Sequence, residues 1–166
     1  MRNASPCLLA LAAVLMLPVP GQTEDTVARR CPQVLAGYAA NDDAVRLEFN
    51  GSDNMSFRFL VAGEEPYDGF VFEAENEPGI AGVILDNCPD GDVTGVELDA
   101  CTVWRGHMYG IDDNGGTVEL GAADAPAVGQ LHLKGLAEAL TKRLPDLAER
   151  IPQDQIERLN LVACQE

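Results

Sequence analysis

Leu133-Lys-Gly-Leu-Ala-Glu-Ala-Leu-Thr-Lys-Arg-Leu-Pro-Asp-Leu-Ala-Glu-Arg-Ile151 is the stretch on which the fold class turns. Leu133, Leu136, Leu140, Leu144, Leu147 and Ile151 recur at steps of three and four, which draws one apolar stripe along a helix. Pro145 breaks a helix that runs into it, so the pattern predicts one helix ending at Leu144 and a short second one opening at Pro145. Pro152 opens a third short turn or helix carrying Ile156 and Leu159, and residues 159–163 read as a returning strand. Near the other end of the chain, residues 33–40 after Pro32 form a further helix candidate.

Between these segments the hydrophobic period falls to two. Residues 44–49 alternate, and 55–62 alternate before turning continuously apolar. Segments 69–74, 80–85, 96–100, 101–111 and 117–120 extend the series of expected strands. Turn residues separate them at 50–54, 64–66, 75–79 and 112–116, the last holding an Asn-Gly pair suited to a hairpin. Consecutive short strands with tight turns predict an antiparallel sheet. With the leucine stripe, the expected fold is α+β: an antiparallel β-sheet covered by C-terminal helices, stapled by two disulfides.

The first 21 residues read as a cleaved signal peptide. Arg2 precedes the uncharged apolar run 7–19, whose 13 residues are too few for a bilayer core, which needs about 20. Pro18 and Pro20 end it, and Val19 and Gly21 suit a signal peptidase, with cleavage after Gly21. Residues 22–166 then form a single acidic domain with no membrane anchor, periplasmic or secreted. Four cysteines remain in it: Cys31, Cys88, Cys101 and Cys164. An even number in an exported chain predicts a disulfide framework. Of the three pairings, Cys88 with Cys101 and Cys31 with Cys164 are favoured, the first closing a short acidic loop and the second tying the start of the domain to its end. No CxxC spacing points to a zinc thiolate site.

The whole chain carries 11 Lys and Arg against 27 Asp and Glu, a net −16. The acid is uneven: residues 59–133 hold 15 acids and one cation, Arg105. Such a field excludes a nucleic-acid binder, which needs clustered Lys and Arg on phosphates, and disfavours anionic lipid. It favours a basic protein partner. Salt adaptation would produce the same composition with no partner.

Two clusters carry candidate chemistry. Residues 86–97, Asp-Asn-Cys-Pro-Asp-Gly-Asp-Val-Thr-Gly-Val-Glu, offer Asp86, Asp90, Asp92 and Glu97 as hard oxygen ligands around Gly91, in the manner of a calcium loop, so Ca²⁺ is the cofactor to consider. Cys88 stands at position 3, where an EF-hand places an oxygen ligand, and the expected strand at 96–100 replaces the exit helix. Within 101–111, alternation sets Arg105, His107 and Tyr109 on one face and Trp104 on the other. Together these four residues are the candidate binding set, since Arg, His and Tyr can hold an anion or support proton transfer. His132 reads as a surface residue beside the leucine stripe. No GxSxG, HExxH, phosphate loop or CxxCH is present, and no catalytic residues are assigned.

Arg105-Gly-His-Met-Tyr109 resembles the Ser-Gly-x-x-Tyr element of periplasmic lysozyme inhibitors, which are small, exported and often acidic. The resemblance spans five residues and departs at Arg105, where those inhibitors carry serine. It implies a class, a non-catalytic inhibitor, and no residue roles. The expected function is therefore an exported, disulfide-stabilised binding or inhibitory protein for a cationic partner. A calcium-dependent structural or binding protein using 86–97, and an uncharacterised hydrolase, are the alternatives.

Overall fold

Alternation decides the wall of the molecule. Val45, Leu47 and Phe49 point inward from one strand and Phe57, Phe59 and Val61 from the next, while Arg46, Glu48 and Arg58 point out. The computed structural model describes residues 31–40, 43–51, 54–74, 78–92, 94–112, 114–152 and 155–165. The expected signal peptide lies outside these residues. The described strands are β1 (Ala36–Ala39), β2 (Val45–Phe49), β3 (Ser56–Val61), β4 (Tyr67–Glu73), β5 (Ile80–Leu85), β6 (Thr102–Ile111), β7 (Thr117–Val118), β8 (Gln130–Leu133) and β9 (Arg158–Cys164). The helices are α1 (Gly95–Cys101), α2 (Leu136–Arg143) and α3 (Pro145–Ala148).

Each strand pairs antiparallel with its neighbours in the order β5-β4-β3-β2-β1-β9-β8-β6, and β5 pairs in turn with β6. The sheet thus closes into a barrel of eight strands, with the two-residue β7 attached to β6 at Gly110 and Ile111. Eight strands leave an interior just wide enough for side chains to fill. Trp104, Tyr38, Phe49, Phe57, Phe59, Leu47 and Met108 fill it. The wall is apolar inside and polar outside, the reverse of a barrel whose outer face meets lipid. No helix among the described residues is long and apolar enough to cross a membrane.

This corrects the expected α+β fold, in which C-terminal helices covered an open sheet. The helices instead close one end of the barrel, where Leu136, Leu140, Leu147, Ala148 and Ile151 join the core. The leucine stripe misled because Leu133 ends β8, and Gly135, in the left-handed region at φ 79°, turns the chain into α2. Leu133 and Leu136 are both buried and three apart, which imitates one helical face. Leu159, read both at the end of a short turn or helix and at the start of a returning strand over 159–163, lies in that strand, β9. The helix expected over 33–40 is a 3-10 turn at Gln33–Leu35 followed by β1. All four residues of β1 are buried, so no alternation marks it as a strand.

The other end is closed by the 3-10 turn and the 120–128 segment. Gln33 and Val34 donate from their backbone to Ala125 and Ala123 at 2.8 and 3.0 Å. The fully buried Gln33 amide donates to the Tyr38 hydroxyl at 3.0 Å, and that hydroxyl donates to the Val128 carbonyl at 3.0 Å. Burial pushes the Tyr38 phenol above its ordinary pKa, so the ring enters the core as a neutral hydrogen-bonding group. Cys31 is joined to Cys164 and Cys88 to Cys101, the pairing favoured from the sequence. Two disulfides suit an oxidising environment outside the cytosol.

Candidate functional site

A β-bulge shapes the start of β6. Ile84 pairs with Trp104 and Leu85 with Thr102, which leaves Val103 as the extra residue. Both Val103 and Trp104 enter the core. The indole lies against Gly82 and Gly106 and donates from Nε1 to the Lys134 carbonyl at 3.1 Å. Trp104 is 2% exposed, so it stands apart from its three candidate partners.

Arg105, His107 and Tyr109 do face outward together. The Arg105 guanidinium stands 5.9 Å from the centre of the Phe72 ring, and Phe72 stands 6.0 Å from Phe70. Tyr109 lies opposite His132 in the β6–β8 ladder, and the two rings stack at 4.8 Å. A groove of about 470 Å³ opens where β5 and β7 begin, with Ile80, His107, Tyr109, Thr117, Glu119 and Lys134 in its lining. Phe72 and Lys134 were not singled out from sequence, and His132 reads there only as a surface residue. Their proximity follows from strand register between β4, β5, β6 and β8, which no local pattern encodes.

His132 differs from its expected surface position. Its side chain is 13% exposed, its Nε2 is 3.6 Å from a Glu157 oxygen, and its Nδ1 is buried without a hydrogen-bond partner among the described residues. Burial holds its pKa below the ordinary histidine value, against the pull of Glu157 and with the help of Arg158 and Lys134. The unfolded chain therefore binds a proton that the folded chain resists, so this contribution to stability is full above about pH 6.5 and is lost as pH falls through the lowered value. His132→Asn is expected to shrink the drop in Tm between pH 7.5 and pH 5. Melts of the two proteins with equal pH dependence would contradict this.

The acidic cluster is built differently from its expected form. Residues 96–100, read as a strand, belong to α1. Thr94 caps that helix: its hydroxyl accepts from the Glu97 backbone N–H, and Glu97 Oε2 accepts from the Thr94 backbone N–H at 2.8 Å. This reciprocal pair overrides the alternation that suggested a strand. It also occupies the Glu97 carboxylate and holds its pKa below the ordinary glutamate value. Asp86 is tied to the base of the loop by its backbone N–H, which donates to Cys101 at 2.9 Å, and Asp90 and Asp92 are exposed. Among the described residues, no three His, Cys, Asp or Glu side chains gather as a metal site.

Charge instead collects around two adjacent connections. Glu64 and Glu65 lie in the β3–β4 turn and Asp68 near the start of β4, and Asp86, Asp90, Asp92, Glu97 and Asp99 lie between β5 and β6. Because β3, β4 and β5 are neighbours, both connections emerge at the end of the barrel that the helices close. Tyr67 senses both: after burial, the charges of Asp86 and Glu64 raise its pKa further. Two cations from the C-terminal helical region reach this end, Arg150 paired with Glu64 and Arg143 donating to the Asp99 carbonyl at 3.3 Å. Comparison of the chain with protein-family models, with curated proteins and with solved structures finds no match.

Proposed function

We propose that this is a periplasmic or secreted acidic binding or inhibitory protein whose partner is a basic protein. The observation that carries the reading is the set of eight carboxylates on the β3–β4 and β5–β6 connections and the start of β4, of which Glu64 is paired with the Arg150 guanidinium while Arg143 reaches the Asp99 backbone carbonyl. Such a surface raises the encounter rate with a cation in a salt-dependent way. The filled barrel supports the same reading, since a packed lumen directs recognition to the outer surface and the loops. The disulfides support export.

Lysozyme, itself basic, is the first partner to test because the 105–109 segment resembles an element of its periplasmic inhibitors. The reading expects saturable binding to lysozyme at low salt, slowed cell-wall lysis, and much weaker binding at 300 mM salt. Binding that is absent at low salt, or present and indifferent to salt, contradicts it.

A further inference from the structure

We infer that α1, closed at its base by the Cys88–Cys101 disulfide, is the contact element for the basic partner, with Val96 as its apolar anchor. This rests on the proposed function and says where on the surface it operates.

The first observation is that α1 buries none of its seven residues. A helix that short is marginal on its own and ordinarily persists by packing an apolar face onto the core. Here other devices hold it. The Thr94–Glu97 capping box fixes its start. At its end the Thr102 hydroxyl donates to the Leu98 carbonyl at 2.7 Å. The disulfide fixes Cys101 to Cys88, 5.2 Å away between Cα atoms, and the Asp86 N–H to Cys101 carbonyl bond closes the same base. The barrel does not need this helix for its core, yet the chain constrains it at both ends.

The second observation is Val96, 81% exposed and the most exposed large apolar side chain among the described residues. A constrained apolar side chain loses little entropy on docking, which is what an anchor requires. Asp90, Asp92, Glu97 and Asp99 surround it in sequence and are exposed. The complementary surface is an apolar recess bordered by Lys or Arg on a basic protein. A second copy of this chain is disfavoured, because two such faces would set carboxylate against carboxylate, and anionic lipid is disfavoured for the same reason.

The test uses the full chain with both disulfides intact, lysozyme as the probe, and the variants Val96→Ser and Val96→Asp. Both variants should melt with wild type, since Val96 is outside the core. Both should weaken binding by about tenfold or more, mainly through a faster off-rate. Val96→Asp is the sharper case, because it adds attraction for a cation and still removes the anchor. Val162→Asp, at 52% exposure on β9, should bind as wild type does. If wild type binds and both Val96 variants bind equally well, the inference is overturned and the proposed function stands. If wild type fails to bind at low salt, the proposed function falls and takes the inference with it.

Discussion

Replacing Cys31 and Cys164 by serine is expected to cost about 4–5 kcal/mol, enough to leave the protein largely unfolded at 37 °C. The bridge joins residues 133 apart, and closing so long a loop removes that much entropy from the unfolded chain on the chain-entropy model. A typical domain of this size has a total stability of about 5–15 kcal/mol. The bridge also lies where the barrel closes. Cys31 is buried, its carbonyl accepts from Ala127 at 2.8 Å, and it precedes the turn that seals that end. Cys164 ends β9 beside Ala36 of β1, the pairing that completes the ring. Denaturant titration checks the prediction. A loss below about 1 kcal/mol would mean that the ring is closed well enough by hydrogen bonds alone.

Gly106→Ala is expected to destabilise by about 3 kcal/mol or more, from overpacking together with a disrupted buried hydrogen bond. A Cβ at this position would lie 2.5 Å from the Lys134 carbonyl oxygen and 2.8 Å from the Trp104 ring. The backbone oxygen cannot swing aside as a flexible side chain would, and it is the acceptor for the indole N–H. Gly95→Ala supplies the contrast. Nothing lies within 4 Å of its would-be Cβ, and alanine suits a helix better, so stability should hold or rise slightly. Chemical denaturation of both variants decides. Equal, small effects would show that the indole does not press on the wall as described.

These two predictions mark where local pattern stopped being informative. The β2 and β3 strands were legible because each shows one inward face of Val, Leu or Phe between turn residues, and β5 was legible as a short continuous apolar run bounded by turn residues. Closure was not legible, because it depends on β1 meeting β9 and β5 meeting β6 across the fold, and β1 carries no alternation. The leucine stripe was read correctly in breaking at Pro145, where α2 gives way to α3, and wrongly in counting Leu133, which ends β8. Arg105, His107 and Tyr109 were rightly placed on one face, since alternation is a local property. Their neighbours Phe72 and His132 come from register, and the exposure of Val96 comes from a capping box that a strand reading hid. The disulfide pairing was readable on simpler grounds: Cys88 and Cys101 bracket a short loop between two expected strands, and Cys31 and Cys164 tie the start of the domain to its end.

The most direct test of the acidic-surface account is the association rate with lysozyme as a function of salt. It compares wild type with a variant carrying Glu64→Gln, Glu65→Gln, Asp90→Asn, Asp92→Asn and Asp99→Asn. Surface carboxylates steer encounter more than they hold the complex, and salt screens them beyond about 8 Å at physiological ionic strength. The account predicts a wild-type on-rate that falls steeply with salt, a variant that associates more slowly with a shallower slope, nearly equal off-rates, and a variant melt no lower than that of wild type. A variant that associates as fast as wild type at low salt would contradict it, and the acidity would then be better explained as adaptation to a saline medium.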